Sequence, residues 1–296
     1  MTSTLLQRPV TSPRPRVPGR VRRSRGLLFY VALPAAWSLA VFDIFIVVWL
    51  FVSSLKTTRE VFDSPFGLPS SPQWQNYQVA WESAKFGEGV GNSLLLVFVS
   101  GIATLLIAAP AAYVLSRFQW RLSGATTVFF AMGLGIPAQT LFIPLFVALD
   151  KLHLVNTMTG LIIVCTGTGI PFAVFFLTAF FASLPKELEE AAAIDGCSPP
   201  YTFWRIMLPL TRSGLLTLFV LQAIGHWGET LFALILLQDK TTISLSLLRF
   251  MQTMQYNGAQ WSVLFAGIGI IVIPLVLLYL WMGSRLIEGI ASGYGK

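Results

Sequence analysis

Six long apolar runs, at residues 27–52, 94–115, 127–149, 158–181, 215–237 and 263–282, leave this chain few ways to fold. A helix needs about 20 predominantly apolar residues to cross the hydrocarbon of a bilayer, and each run reaches that length. The first is interrupted by Pro34 and Asp43. Charged residues make up 11% of the chain, where a soluble domain carries about 25%. So much apolar surface has nowhere to hide in a soluble fold of this size. The runs predict an all-α polytopic membrane protein with six transmembrane helices.

Charge placement sets the expected orientation. Arg8, Arg14, Arg16, Arg20, Arg22, Arg23 and Arg25 precede the first run with no acidic residue among them. Basic residues beside a span stay on the cytoplasmic side, so residues 1–26 read as a disordered, Arg-rich cytoplasmic tail, rich in Pro, Ser and Thr. The first transmembrane helix is expected at 27–55. It is too long, and its flank too unlike a cleavage site, for a signal peptide. Six spans return residues 284–296 to the cytoplasm as a second tail, so both termini are cytoplasmic. The net charge of +7 could suit nucleic acid, but its concentration ahead of the first span makes it a topology signal, and no nucleic-acid partner is expected.

Between the first two spans, residues 56–91 are too polar to cross and too long for a turn. Phe66, Trp74, Tyr77, Trp81 and Phe86 lie there among turn residues, which predicts a small packed cap outside the membrane. Spans two to five carry Gly101, Ala108, Ala109, Pro110, Gly133, Gly135, Pro137, Pro144, Gly167, Gly169 and Pro171. Small residues let helices approach closely, and Pro or Gly breaks survive where neighbours or a cavity satisfy the backbone. Close packing alone would account for them. So would a bundle that rocks around a central pathway. Asp43, His226 and Glu229 are ionisable residues inside apolar runs, where such groups face protein or water rather than lipid. Cys165 and Cys197 have neither disulfide nor metal-ligand spacing.

The stretch 187–209, ELEEAAAIDGCSPPYTFWRIMLP, is a charged loop between two apolar runs. Glu, Leu and Ala favour a helix over 185–194, with Pro185 in its first turn and Glu187, Glu189 and Glu190 at the positive end of its dipole. Gly196 is expected to stop it. Ser198 is expected to cap a second helix opened by Pro199 and Pro200 and ended by Pro209. The loop therefore predicts helix–turn–helix with acidic and aromatic faces.

The spacing Glu190-Ala191-Ala192, three residues, Gly196, nine residues, Ile206, one residue, Leu208-Pro209 resembles the "EAA" loop of importer-type ABC transporter permeases. Asp195 and Phe203 also fit that family's pattern, while Ser213 stands where a proline is often found. Ser54-Leu55-Lys56, Glu60-Val61-Phe62, Asn76-Tyr77, Asn92-Ser93 and the C-terminal stretch 289–296 resemble the second, maltose-type permease subunit of the carbohydrate-uptake branch. The resemblance implies the type I ABC importer permease fold, with a permease core over 88–283 and a cytoplasmic coupling loop over 185–212. It implies that the loop docks on an ATPase dimer. It also implies a second homologous permease, an extracytoplasmic solute-binding protein and a sugar substrate. ATP and Mg would bind the partner ATPase, and no cofactor is expected in this chain. Gly225-His226-Trp227-Gly228-Glu229 stands where related permeases often carry Trp-Asn-Glu-Phe, and only Trp227 and Glu229 match. A carboxylate beside an aromatic suits a sugar, so His226, Trp227 and Glu229 are candidate pathway residues. Mutual satisfaction of His226 and Glu229, or contact with a neighbouring subunit, would serve as well.

No Gly-x-x-x-x-Gly-Lys-Ser/Thr loop occurs to cradle nucleotide phosphates, and no catalytic constellation is evident. The chain is therefore expected not to be an enzyme, with its energy supplied by another chain. An amino acid, peptide or anion permease, an ion-gradient-driven secondary transporter, and a membrane scaffold are the competing readings.

Overall fold

The computed structural model describes residues 27–118 and 120–293, and the side chains of these except 27–31, 255–257 and 284–293. The expected tail at 1–26 and the last residues, 294–296, lie outside the described residues. Every regular element among those described is helical, in line with the all-α expectation.

The chain divides at Val48/Trp49 into two units. The first contains most of α1 (Leu27–Ser54). Trp37, Leu39, Val41, Phe42 and Ile44 are exposed along it, as suits a helix whose solvent is lipid. In the second unit, α2 (Thr58–Asp63) and α3 (Gln75–Ser83) form the segment expected as a cap. A reciprocal capping box starts α2: Thr57 and Glu60 each satisfy the other's backbone N–H. The fully buried Lys56 donates to Ser64 O at 2.8 Å and Pro65 O at 3.0 Å, so carbonyls replace the water its ammonium has lost.

The central pair is α4 (Phe86–Arg117) and α7 (Met158–Ser183), with α11 (Arg212–Trp227) packed against both. Their contacts are close where the sequence is small. A Cβ on Gly101 would come within 2.9 Å of the Phe219 ring, and one on Gly214 within 2.7 Å of Phe180. Pro110 and Pro171 lie inside these helices without ending them.

The spans differ from expectation at four places. First, α4 begins at Phe86, eight residues before the apolar run, because Phe86 and Gly89 are themselves buried. Second, the run 127–149 is not one helix. It divides into α5 (Ser123–Gly135), a 3-10 turn (Ala138–Leu141) and α6 (Phe142–Lys151), bent by 96°. Pro137 has no N–H to continue the ladder and holds Ile136 extended. Third, α11 holds 16 residues and stops at Trp227. After Gly228, Glu229 and Thr230, the rest of the run forms α12 (Leu231–Leu236). Fourth, after α13 (Ile243–Asn257), α14 (Trp261–Gly293) is helical through much of the stretch expected as a tail. Among the described residues, four helices are long and apolar enough to span, and up to six spans result if each of the two bent helix pairs counts as one.

Candidate functional site

The stretch expected as a coupling loop follows α7 directly. Helix α8 (Glu187–Ile194) has Glu187, Glu189 and Glu190 in its first turn, where the helix dipole favours negative charge. Its end is a Schellman motif: Cys197 N donates to Ala192 O at 2.9 Å and Gly196 N to Ala193 O at 3.1 Å. Gly196 takes φ +78°, while nothing lies within 4 Å of where its Cβ would be. Backbone conformation, not space, demands glycine there.

Ser198 occupies the cap position of α9 (Pro199–Thr202), but its side chain caps nothing. The sequence expectation also fails at Pro209. The helix continues from α9 through a π turn (Phe203–Met207) into α10 (Leu208–Leu210), and the chain bends by 71° before α11. In the π turn Leu208 N reaches back five residues to Phe203 O. That wider register carries Pro209, which has no N–H, past the usual break. The turn falls at Thr211 instead, whose hydroxyl donates to Leu208 O at 2.9 Å.

The loop is clamped on one side. Arg117, the last residue of α4, places Nε 3.0 Å from Glu189 Oε2 as an ion pair, without a well-directed hydrogen bond. Its Nη2 donates to Leu184 O at 2.9 Å, and Tyr113 Oη donates to Glu189 Oε1 at 2.5 Å. Phe203 and Met207 are buried in the core with Ala112, Tyr113, Leu177 and Phe181. Tyr113 and Phe203 ring centroids are 5.0 Å apart. Tyr113, Arg117 and Glu189 were not singled out from the sequence as site residues. The available signal was the basic end of the second run facing an acid-rich helix.

Of the EAA-type residues, Ala192 and Phe203 are buried, and Ile206 and Leu208 are half-buried. Glu190, Ala191, Asp195, Gly196 and Pro209 are exposed. Leu188, Ile194, Tyr201 and Trp204 are exposed too, with Ile194 at 87%. The loop thus has a buried face seated on α4 and α7 and an outer face carrying acidic and apolar groups.

The structure places His226, Trp227 and Glu229 at the broken end of α11, on separate duties. His226 Nε2 lies 3.1 Å from Ser100 Oγ. Trp227 is buried at 7% exposure, and its indole donates to Ile271 O at 3.2 Å. Glu229 Oε1 accepts from Phe232 N at 2.7 Å and so caps α12. No hydrogen bond joins His226 and Glu229 side chains, which differs from the mutual satisfaction considered above. Two further residues, Asn92 and Ser93, brace this region from α4: Asn92 donates to Thr241 O at 2.8 Å, and Ser93 Oγ accepts from Ile243 N at 2.9 Å.

Comparisons with known proteins agree with this geometry. Residues 105–291 match the family described as "Binding-protein-dependent transport system inner membrane component". The chain is 34% identical over 266 residues to the diacetylchitobiose uptake system permease protein NgcG of Streptomyces coelicolor, covering 88% of this chain and 86% of that protein. It is 30% identical to the trehalose transport system permease protein SugB of Mycobacterium tuberculosis, covering 84% and 91%. Its fold superposes with a TM-score of 0.73 on a chain of a bacterial ABC transporter involved in the import of the acidic polysaccharide alginate, at 22% identity, covering 88% and 97%. With the EAA-type loop seated on paired spans and the match running from within α4 into α14, the chain belongs to the family of binding-protein-dependent transport system inner membrane components.

Proposed function

We propose that the chain is one permease subunit of an ATP-driven ABC importer that carries a sugar or oligosaccharide across the cytoplasmic membrane. The observation that carries this reading is the two-sided loop. Its inner face is bound through Arg117, Glu189, Phe203 and Met207 to the spans, while Ile194, Glu190 and Asp195 stay outside. Such an element passes a push on its outer face straight to α4, α7 and α11. The carbohydrate assignment draws on relatives whose names include diacetylchitobiose and trehalose.

In this assembly the second partner is a homologous permease. An ATPase dimer holds ATP and Mg and receives the loop 185–212, and an extracytoplasmic binding protein delivers the sugar. Both termini and the loop are cytoplasmic, and residues 56–85 lie outside. ATP binding closes the ATPase dimer, the loop follows, and α11 moves because it begins one residue after α10. Glu190, Ala191, Ala192, Asp195, Gly196, Phe203, Ile206, Leu208 and Pro209 form the coupling element. His226 and Glu229 face the solute, with Trp227 supporting them from the core.

The test is a single cysteine at Ile194 in the complex, crosslinked with a short bifunctional reagent. A nucleotide-sensitive crosslink to the ATPase supports the reading. Labelling of that cysteine from outside intact cells by an impermeant reagent contradicts it.

A further inference from the structure

The interior between α4, α7 and α11 holds uncharged polar side chains that helix formation does not require. Ser100 Oγ lies 3.1 Å from His226 Nε2 and accepts from Thr166 Oγ1 at 3.3 Å, while Thr104 Oγ1 donates to Ser100 O at 2.8 Å. Gln222 lies one turn before His226 on the same face of α11. It is only 7% exposed, yet neither its Nε2 nor its Oε1 has a hydrogen-bond partner. Opposite it is Gly169 of α7. A Cβ there would sit 3.4 Å from Gln222 Nε2 and 3.5 Å from Thr104 Oγ1, in ordinary contact with both. The absent side chain leaves a space beside the amide and the hydroxyl.

An amide buried with both ends unmet is destabilising, and leucine would fill the same volume without that cost. A group kept at such a cost points to a state in which it is met. One donor and one acceptor, beside two hydroxyls and an imidazole and with no formal charge, match neighbouring sugar hydroxyls, each of which donates and accepts. We propose that Gln222, Thr104, Ser100 and His226 form a hydroxyl-recognition site for carbohydrate in transit, closed in this structure and uncovered when α11 moves against α4 and α7. The inference rests on the carbohydrate reading above. Its mechanical part follows from connectivity: α11 begins at Arg212, immediately beyond the 71° bend that ends the loop helix.

The experiment uses the whole complex with its binding protein in liposomes, with Cys165→Ala and Cys197→Ala and a single Gln222→Cys. N-Ethylmaleimide should label this cysteine slowly without nucleotide and faster after trapping with ATP and vanadate. Equally slow labelling in both states overturns the proposal. A second variant, Gln222→Leu, reads recognition through uptake of diacetylchitobiose and trehalose. Loss of a recognition hydrogen bond should raise KM about tenfold. An unchanged KM overturns the proposal and leaves the amide a structural group satisfied by water. Failure of the unsubstituted complex to take up any carbohydrate would count against the solute class. State-dependent labelling would still support an opening site, so the two failures are distinguishable.

Discussion

Arg117 Nε at the end of α4 lies 3.0 Å from Glu189 Oε2 in the first turn of α8, and through this pair a surface loop is tied to the helix at the centre of the bundle. The Arg117 side chain is 4% exposed and that of Glu189 20%. Removing one partner of a buried pair leaves the other charge uncompensated, at a cost of about 3–5 kcal/mol. The partial exposure of Glu189 places Glu189→Ala at the lower end of that range. Thermal unfolding of the purified complex should show the loss, and binding-protein-stimulated ATPase activity should fall with it. Unchanged values for both would remove the clamp from the coupling mechanism.

Gly196 makes a sharper prediction than its sequence position did. Because φ is +78° and the surrounding space is open, Gly196→Ala and Gly196→Leu should cost alike, about 1–2 kcal/mol, and Gly196→Asn less. Hydrogen exchange across residues 187–200 should rise equally in the first two, with weaker ATPase stimulation. A far larger effect of Leu than Ala would point to steric contact with a partner.

How far the sequence could be read depended on whether a feature was local. The six runs, the helix at Glu187–Ile194 and the stop at Gly196 follow from hydropathy, propensity and a glycine in left-handed conformation. The break at Pro137 was written in the sequence, but apolar residues on both sides concealed it. Pro209 misled because a π turn upstream changes what a proline does to a helix, and no residue code announces such a turn. The Arg117–Glu189–Tyr113 clamp joins α4 to a helix more than seventy residues on, so the sequence shows the opposite charges but only the packing pairs them. Trp227 carried the signature of a sugar-stacking residue, yet its ring fills the core and its N–H is spent on Ile271 O.

Glu229 caps α12 through Phe232 N, so this cap and the proposed solute contact separate by substitution. Glu229→Ala should cost about 1 kcal/mol as a lost cap and lower uptake. Glu229→Gln keeps an acceptor and should preserve the helix while reporting the need for charge. ATPase stimulation by loaded binding protein should persist in both. Near-normal uptake in Glu229→Ala and in Trp227→Ala would assign this stretch to structure alone.

The segment outside the spans has its own titration. Hydrogen bonds from the Ser70 side chain, then from the Thr57 and Ser70 backbones, hold the Glu60 carboxyl down to about 2 from its usual 4.5. A depressed carboxyl stabilises fully above the unfolded value, and that contribution is lost as pH falls toward the folded one. Resistance of residues 56–85 to an acid-active protease should therefore hold at pH 5 and decline between about 4.5 and 2. Glu60→Gln should be looser at pH 5 and lose the decline. An identical pH profile for both proteins would refute the assignment.

The most direct test of the whole account is the energy source for uptake. The permease is reconstituted in liposomes with the proposed partner permease, ATPase and binding protein, and labelled diacetylchitobiose is offered outside. Uptake is expected to require ATP on the ATPase side and to continue after an uncoupler collapses all ion gradients. Uptake driven by an ion gradient, without ATP or ATPase, would contradict that expectation.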